Sequence, residues 1–152
     1  MRHDETALVK QALRDAREQL ARTGRAMPGA YMLVTHNPQT GAPLTHPTAI
    51  GSQRDAPFRA REEYVEFLNT LRAEARRLHA LAIVIAGEAE AEVETTQGSA
   101  LRRVLYVRVE DQLGVQQLHA PIEPDPSGAL AVGELLADPD TADELDARLL
   151  PS

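Results

Sequence analysis

Leu81-Ala82-Ile83-Val84-Ile85-Ala86-Gly87-Glu88-Ala89-Glu90-Ala91-Glu92-Val93-Glu94 changes character at its glycine: an unbroken apolar run gives way to glutamates alternating with Ala or Val. After the polar Thr95-Thr96-Gln97-Gly98-Ser99-Ala100 the chain answers with Leu101-Arg102-Arg103-Val104-Leu105-Tyr106-Val107-Arg108-Val109. Ile- and Val-rich runs of period two around a polar gap predict a β-hairpin. Before Gly87 both alternating sets are apolar, so the first strand is expected to be covered on both faces. A turn centred on Gly98 would set Glu94 opposite Arg102 and Glu88 opposite Arg108. Exposed pairs of that kind fix register and add about 0.2–1 kcal/mol each.

Upstream, Val9, Ala12, Leu13, Ala16 and Leu20 recur at helical spacing, predicting an amphipathic helix over residues 5–23, capped by Asp4 and stopped by Gly24. Ala30–Thr35 reads as a strand, Asn37–Gly41 as a turn, and Ala42–Ile50, holding Pro43 and Pro47, as an edge strand. A second helix is expected to start near Asp55 and Pro57 and run to about Leu78, burying Tyr64, Phe67, Leu68, Leu71, Ala75 and Leu78. Downstream of the hairpin, Val115–Ile122 alternates and carries Pro121, and Ala129–Val132 offers a short further strand. A weak helix beyond Asp138-Pro139 would align Leu145, Leu149 and Leu150.

With 152 residues the chain is long enough for one domain with a real core, and it contains no cysteine. Disulfides and thiolate chemistry are thereby excluded. The net charge of −7 is carried entirely by residues 123–152, the rest being balanced. Neither part has a basic footprint, and the five aromatics are too few for a stacking platform, so nucleic acid is not an expected partner. No stretch reaches the roughly 18–20 apolar residues that span a bilayer, so no membrane partner is expected. The Arg- and Ala-rich composition and the charged N-terminal stretch point to a bacterial, cytoplasmic protein.

Neither phosphate-binding glycine motif, nor G-x-S-x-G, nor H-E-x-x-H is present. One segment has the residue types of a metal site: His36, then His46-Pro47-Thr48-Ala49-Ile50-Gly51-Ser52-Gln53-Arg54-Asp55. It resembles, over about ten residues, the H-x-H-P…S-x-x-D motif of JAMM/MPN-type metalloproteases, with Leu44 standing where that motif has its first histidine. The resemblance implies a metal-dependent hydrolase with zinc on His46 and Asp55, and Ser52 serving the bound water. His36 would substitute as the further ligand. The competing use of the same residues is helix capping by Ser52 and Asp55.

The expected fold is α+β: a mixed sheet of about five strands with two helices packed on one face, in the order α-β-β-α-β-β-β-(β)-α. Strands one and three are expected to run parallel across a β-α-β crossover. Residues 1–133 form the single domain, and 134–152 are an acidic C-terminal segment, docked or mobile. The leading functional expectation is a small accessory or protein-interaction module without catalysis or cofactor, acting with a protein partner or as a homodimer. The JAMM-like hydrolase using residues 36–55 is the alternative. Ligand sensing between sheet and helices is the third reading, with no residues to carry it.

Overall fold

The computed structural model describes residues 3–137 and 148–151, without the side chains of residues 3–4, 91 and 93–95. Its elements are α1 (His3–Thr23), β1 (Gly29–His36), β2 (Pro43–Gln53), α2 (Arg61–Arg77), β3 (Ala82–Thr95), β4 (Gly98–Asp111), β5 (Gly114–Pro124), β6 (Leu130–Val132) and β7 (Leu136–Ala137). The fold is α+β, but among the described residues the sheet has seven strands rather than five, in the order β2-β1-β3-β4-β5-β6 with β7 also on β5. Each of these neighbouring pairs is antiparallel. The expected parallel pairing of strands one and three is therefore corrected. The crossover helix follows β2, which runs opposite to β1; β3 returns parallel to β2 with β1 lying between them.

The two helices also do not share a face. Leu8, Val9, Ala12, Ala16 and Leu20 of α1 pack with Ala82, Val84 and Ala86 of β3 and with Leu105, Val107 and Val109 of β4. Leu71 and Ala75 of α2, with Leu78, pack with Met32, Val34, Ile83 and Ile85 on the other face. Ile83 and Val84, adjacent in sequence, are both 0% exposed. The strand apolar on both faces thus dictates a three-layer arrangement, because helices on a single face would leave one of its rows in water. On the α2 side the cover is completed by Leu149 and Leu150 from the chain's far end. The expected C-terminal helix over Leu145 falls outside the described residues.

The α1 face is tied by a polar network that spans three elements. The buried Tyr31 hydroxyl donates to Asp15 Oδ2 at 2.9 Å and accepts from Gln53 Nε2 at 3.1 Å. Gln19 Nε2 donates to Gln53 Oε1 at 3.0 Å, and Met27 N donates to Gln19 Oε1 at 2.7 Å. Burial, then the bond and charge of Asp15, push the Tyr31 phenol far above its ordinary range. Gly51 is required here: a Cβ would sit 2.8 Å from Cδ1 of the Tyr31 ring.

The central hairpin turns on Thr96-Gln97, with Thr95 paired to Gly98, so the turn centre lies before Gly98. The register slips accordingly from the expected one: Glu94 faces Ser99 and Glu88 faces Leu105. Glu88 instead takes Arg103, its diagonal neighbour on the same face, at 2.7 Å. Pro121, expected on an edge, lies between the stretches of β5 that pair with β7 and β6, where the ladder needs no donor.

Candidate functional site: an aromatic crevice over the central strand

Residues 54–60, expected to open the second helix, form a loop, and Asp55 and Pro57 lie in it. Ala60 occupies the N-cap position and makes no side-chain cap bond. Glu63, in the first turn of α2, organises the loop instead. Its carboxylate pairs with Arg54 Nη2 at 3.1 Å and accepts from Arg59 N at 3.3 Å. Arg54 N donates to Pro28 O at 2.8 Å, anchoring the loop beside β1. The Arg54 guanidinium lies 4.5 Å from the Phe58 ring centroid, a cation–π contact that fixes the ring.

Phe58 meets Tyr64 edge-on and Phe67 at a tilt, both with centroids 5.3 Å apart. Phe58 from the loop and Tyr64 from α2 border residues 85–89 of β3. Gly87 lets the backbone of Pro28 approach: a Cβ there would come within 3.3 Å of Pro28 Cα. The result is a crevice of about 320 Å³ with Ile85, Gly87, Ala89 and Tyr106 as floor and Phe58 and Tyr64 as walls. A second cavity of about 240 Å³, lined by Met27 and Glu90, shares Pro28, Phe58 and Ala89 with it. Four of the chain's five aromatic residues thus meet in one place.

Glu88 lines the crevice, and its carboxylate, alternating to the α1 face of β3, is held there. Arg103 grips the Glu88 carboxylate with Nε at 2.9 Å and Nη2 at 2.7 Å, and Ala26 N donates to it at 3.3 Å. Arg103 Nη2 also donates to Gly24 O at 2.7 Å, tying hairpin to helix end. Burial raises the Glu88 pKa, but the bonds from Arg103 and Ala26 outweigh it and hold the carboxyl below its ordinary value. An apolar slot whose one charged lining residue, Glu88, is engaged by Arg103 suits the holding of a ring or aliphatic group.

The metal candidates are distributed differently. His46 is exposed on β2, six residues before Ser52, which pairs with Ala30 near the far end of that strand. Asp55 lies beyond that end, so His46 and Asp55 are separated by roughly 20–30 Å of extended chain. His36 stacks on His79, with centroids 4.0 Å apart and planes at 17°, and its Nδ1 lies 3.1 Å from Thr35 Oγ1. Among the described residues no group of three or more His, Cys, Asp or Glu side chains is placed to hold a metal ion. Also among the described residues, no helix is long and apolar enough to cross a membrane.

The crevice carries a faint sequence signal: Phe58, Tyr64 and Phe67 fall close together, and Gly87 interrupts a strand, which marks a close backbone approach. Nothing local links Tyr106 to them; the register of the hairpin does. Compared with known proteins, the chain matches no family model, no curated protein and no solved structure.

Proposed function

We propose that this chain is a non-catalytic interaction module whose crevice receives an aromatic or large aliphatic side chain of a protein partner. The observation that carries this reading is the gathering of Phe58, Tyr64 and Tyr106 around about 320 Å³ of open space where β3 leaves the buried core. That volume lies at the lower end of the roughly 300–1,000 Å³ found for ligand pockets, which fits one side chain better than a cofactor. Rings held by Arg54 and Glu63 form the slot in advance, which lowers the ordering cost of binding.

The test is a titration of isotopically labelled protein with the N-acetyl amides of Trp, Phe and Leu. Saturable amide shifts centred on Gly87 and Tyr106 are expected, strongest for the ring-bearing probes. Ala89→Phe, which fills the slot from its exposed floor, abolishes them at unchanged melting temperature. Shifts absent, or undiminished in Ala89→Phe, reject the reading.

A further inference from the structure

Away from the crevice, and independent of it, the α2 face holds a second recognition site, already occupied by three residues from the chain's own far end. Glu110 of β4 is 0% exposed, and its two carboxylate oxygens point at the segment Arg148-Leu149-Leu150. Leu149 N donates to Oε1 at 2.9 Å and to Oε2 at 3.0 Å, Leu150 N to Oε2 at 2.7 Å, and Arg148 Nε to Oε2 at 3.1 Å. Arg108, buried on the same strand, pairs with Oε1 at 2.9 Å. Arg148 Nη2 donates to Asp111 O at 2.6 Å, and Arg72 Nε of α2 donates to Arg148 O at 3.2 Å. Leu149 and Leu150 then sink to 1% and 5% exposure beside Leu71, Ala75 and Ile83. This is peptide recognition with three readable elements: a guanidinium, two successive backbone N–H groups and two aliphatic pockets.

We propose that this clasp also takes residues 148–150 of a second copy of the chain, so that two copies exchange C-terminal segments. The recognition described involves residues 148–150 themselves and does not depend on which chain delivers them. Between Ala137, paired with Leu118 on β5, and Arg148 the sequence has ten further residues. Ten residues can reach at most about 33–36 Å, which sets how far a segment can be delivered from its own sheet. A clasp emptied of its segment strands the Glu110 carboxylate against Arg108 with the strap's donors gone. A buried charge left short of partners is strongly unfavourable, so the site demands an occupant. A neighbour's identical segment satisfies it group for group, and the exchange is symmetric, each copy giving and receiving. The tethered segment competes at an effective concentration of about millimolar, so exchange grows with protein concentration and when a chain's own segment is disabled.

The experiment uses the full chain carrying Leu149→Asp and Leu150→Asp, which keeps the clasp and disables its own occupant. A labelled peptide spanning residues 146–152 is titrated into it and into the unaltered chain. Saturable binding to the variant is expected, weaker to the unaltered chain, with about tenfold loss when the peptide's Arg148 is replaced by Ala. Binding equal in both chains, indifferent to that arginine, or absent from a variant whose circular dichroism is native overturns the proposal. Should the variant be unfolded, the absence of native cysteine offers a second measurement. Gln112→Cys and Pro151→Cys, both beside the docked Leu150, are made in separate chains and mixed at high concentration under oxidising conditions. A heterodimer joined through the two introduced thiols, in excess over both homodimers, supports exchange, and a random mixture overturns it. Repeating the peptide titration with Ala89→Phe added leaves the result unchanged, which separates this site from the crevice.

Discussion

The two faces of β3 are covered in contrasting ways. On one, a single helix of 21 residues lays a continuous stripe over Ala82, Val84 and Ala86, and the Asp15–Tyr31–Gln53 network closes the layer. On the other, the cover is assembled from pieces: α2, the docked Leu149-Leu150, and the loop that carries Phe58. Between the pieces lie the cavities. A face sealed by one element serves stability, while a face sealed by several leaves seams where ligands and segments enter. The crevice and the clasp accordingly both lie on the α2 side.

The strongest way to break that comparison is Glu110→Ala. It removes the acceptor that holds the strap and leaves Arg108 buried without it, at an expected cost of about 3–5 kcal/mol in urea unfolding. A loss under about 1 kcal/mol, the worth of one ordinary hydrogen bond, would show that the strap contributes little to the α2 face. Next comes Leu149→Ala, expected to cost about 3 kcal/mol as a buried leucine deletion. Hydrogen exchange should show the loss concentrated in α2 and the end of β4, with α1 keeping its protection. Uniform acceleration over both helices would mean that the faces are one cooperative unit.

Tyr31→Phe probes the sealed face. It strands Asp15 and Gln53 and is expected to cost about 1–3 kcal/mol, lowering protection across β1 and α1 alike. The smallest effect is the acid dependence of Glu88. Its folded-state pKa is depressed, so its contribution is complete above the ordinary carboxyl value and fades as pH falls through the lower folded value. Melting curves between about pH 6 and about pH 3 should therefore show a drop that Glu88→Gln makes shallower; an identical drop in the variant assigns it to other carboxylates. A measurement of bound zinc in the unaltered chain and in His46→Ala tests the hydrolase alternative, with no stoichiometric metal expected in either.

How much of this was legible depended on how local the deciding contact is. The stripe of α1 and its stop at Gly24, with φ +79° and Gly24 N on Leu20 O at 2.9 Å, are written in neighbouring residues. So is the double burial of Ile83 and Val84. The side on which α2 packs is not, because it depends on β1 inserting between β2 and β3, which no periodicity records. The loop at 54–60 carried Asp55 and Pro57, good helix starters, yet Glu63 reaching back to Arg54 and Arg59 postponed the helix to Arg61. Of the candidate site, the rings of Phe58, Tyr64 and Phe67 were visible without their meeting point. Glu110 opens the polar run Glu110-Asp111-Gln112, which carries no local sign of burial; only the strap, some forty residues on, turns it into a buried receptor.

The insertion of β1 has a kinetic consequence. The β1–β2 hairpin and the β3–β4–β5 meander are each built from near neighbours in sequence, but they join along one seam, Gly29–Leu33 against Ala82–Ala86. Closing that seam links residues about fifty positions apart and carries the loop-entropy penalty in one step. During synthesis the early hairpin therefore waits, its inner edge unpaired, until the later half of the sheet has emerged. That interval is when the nascent chain is most exposed to pairing with the wrong strand.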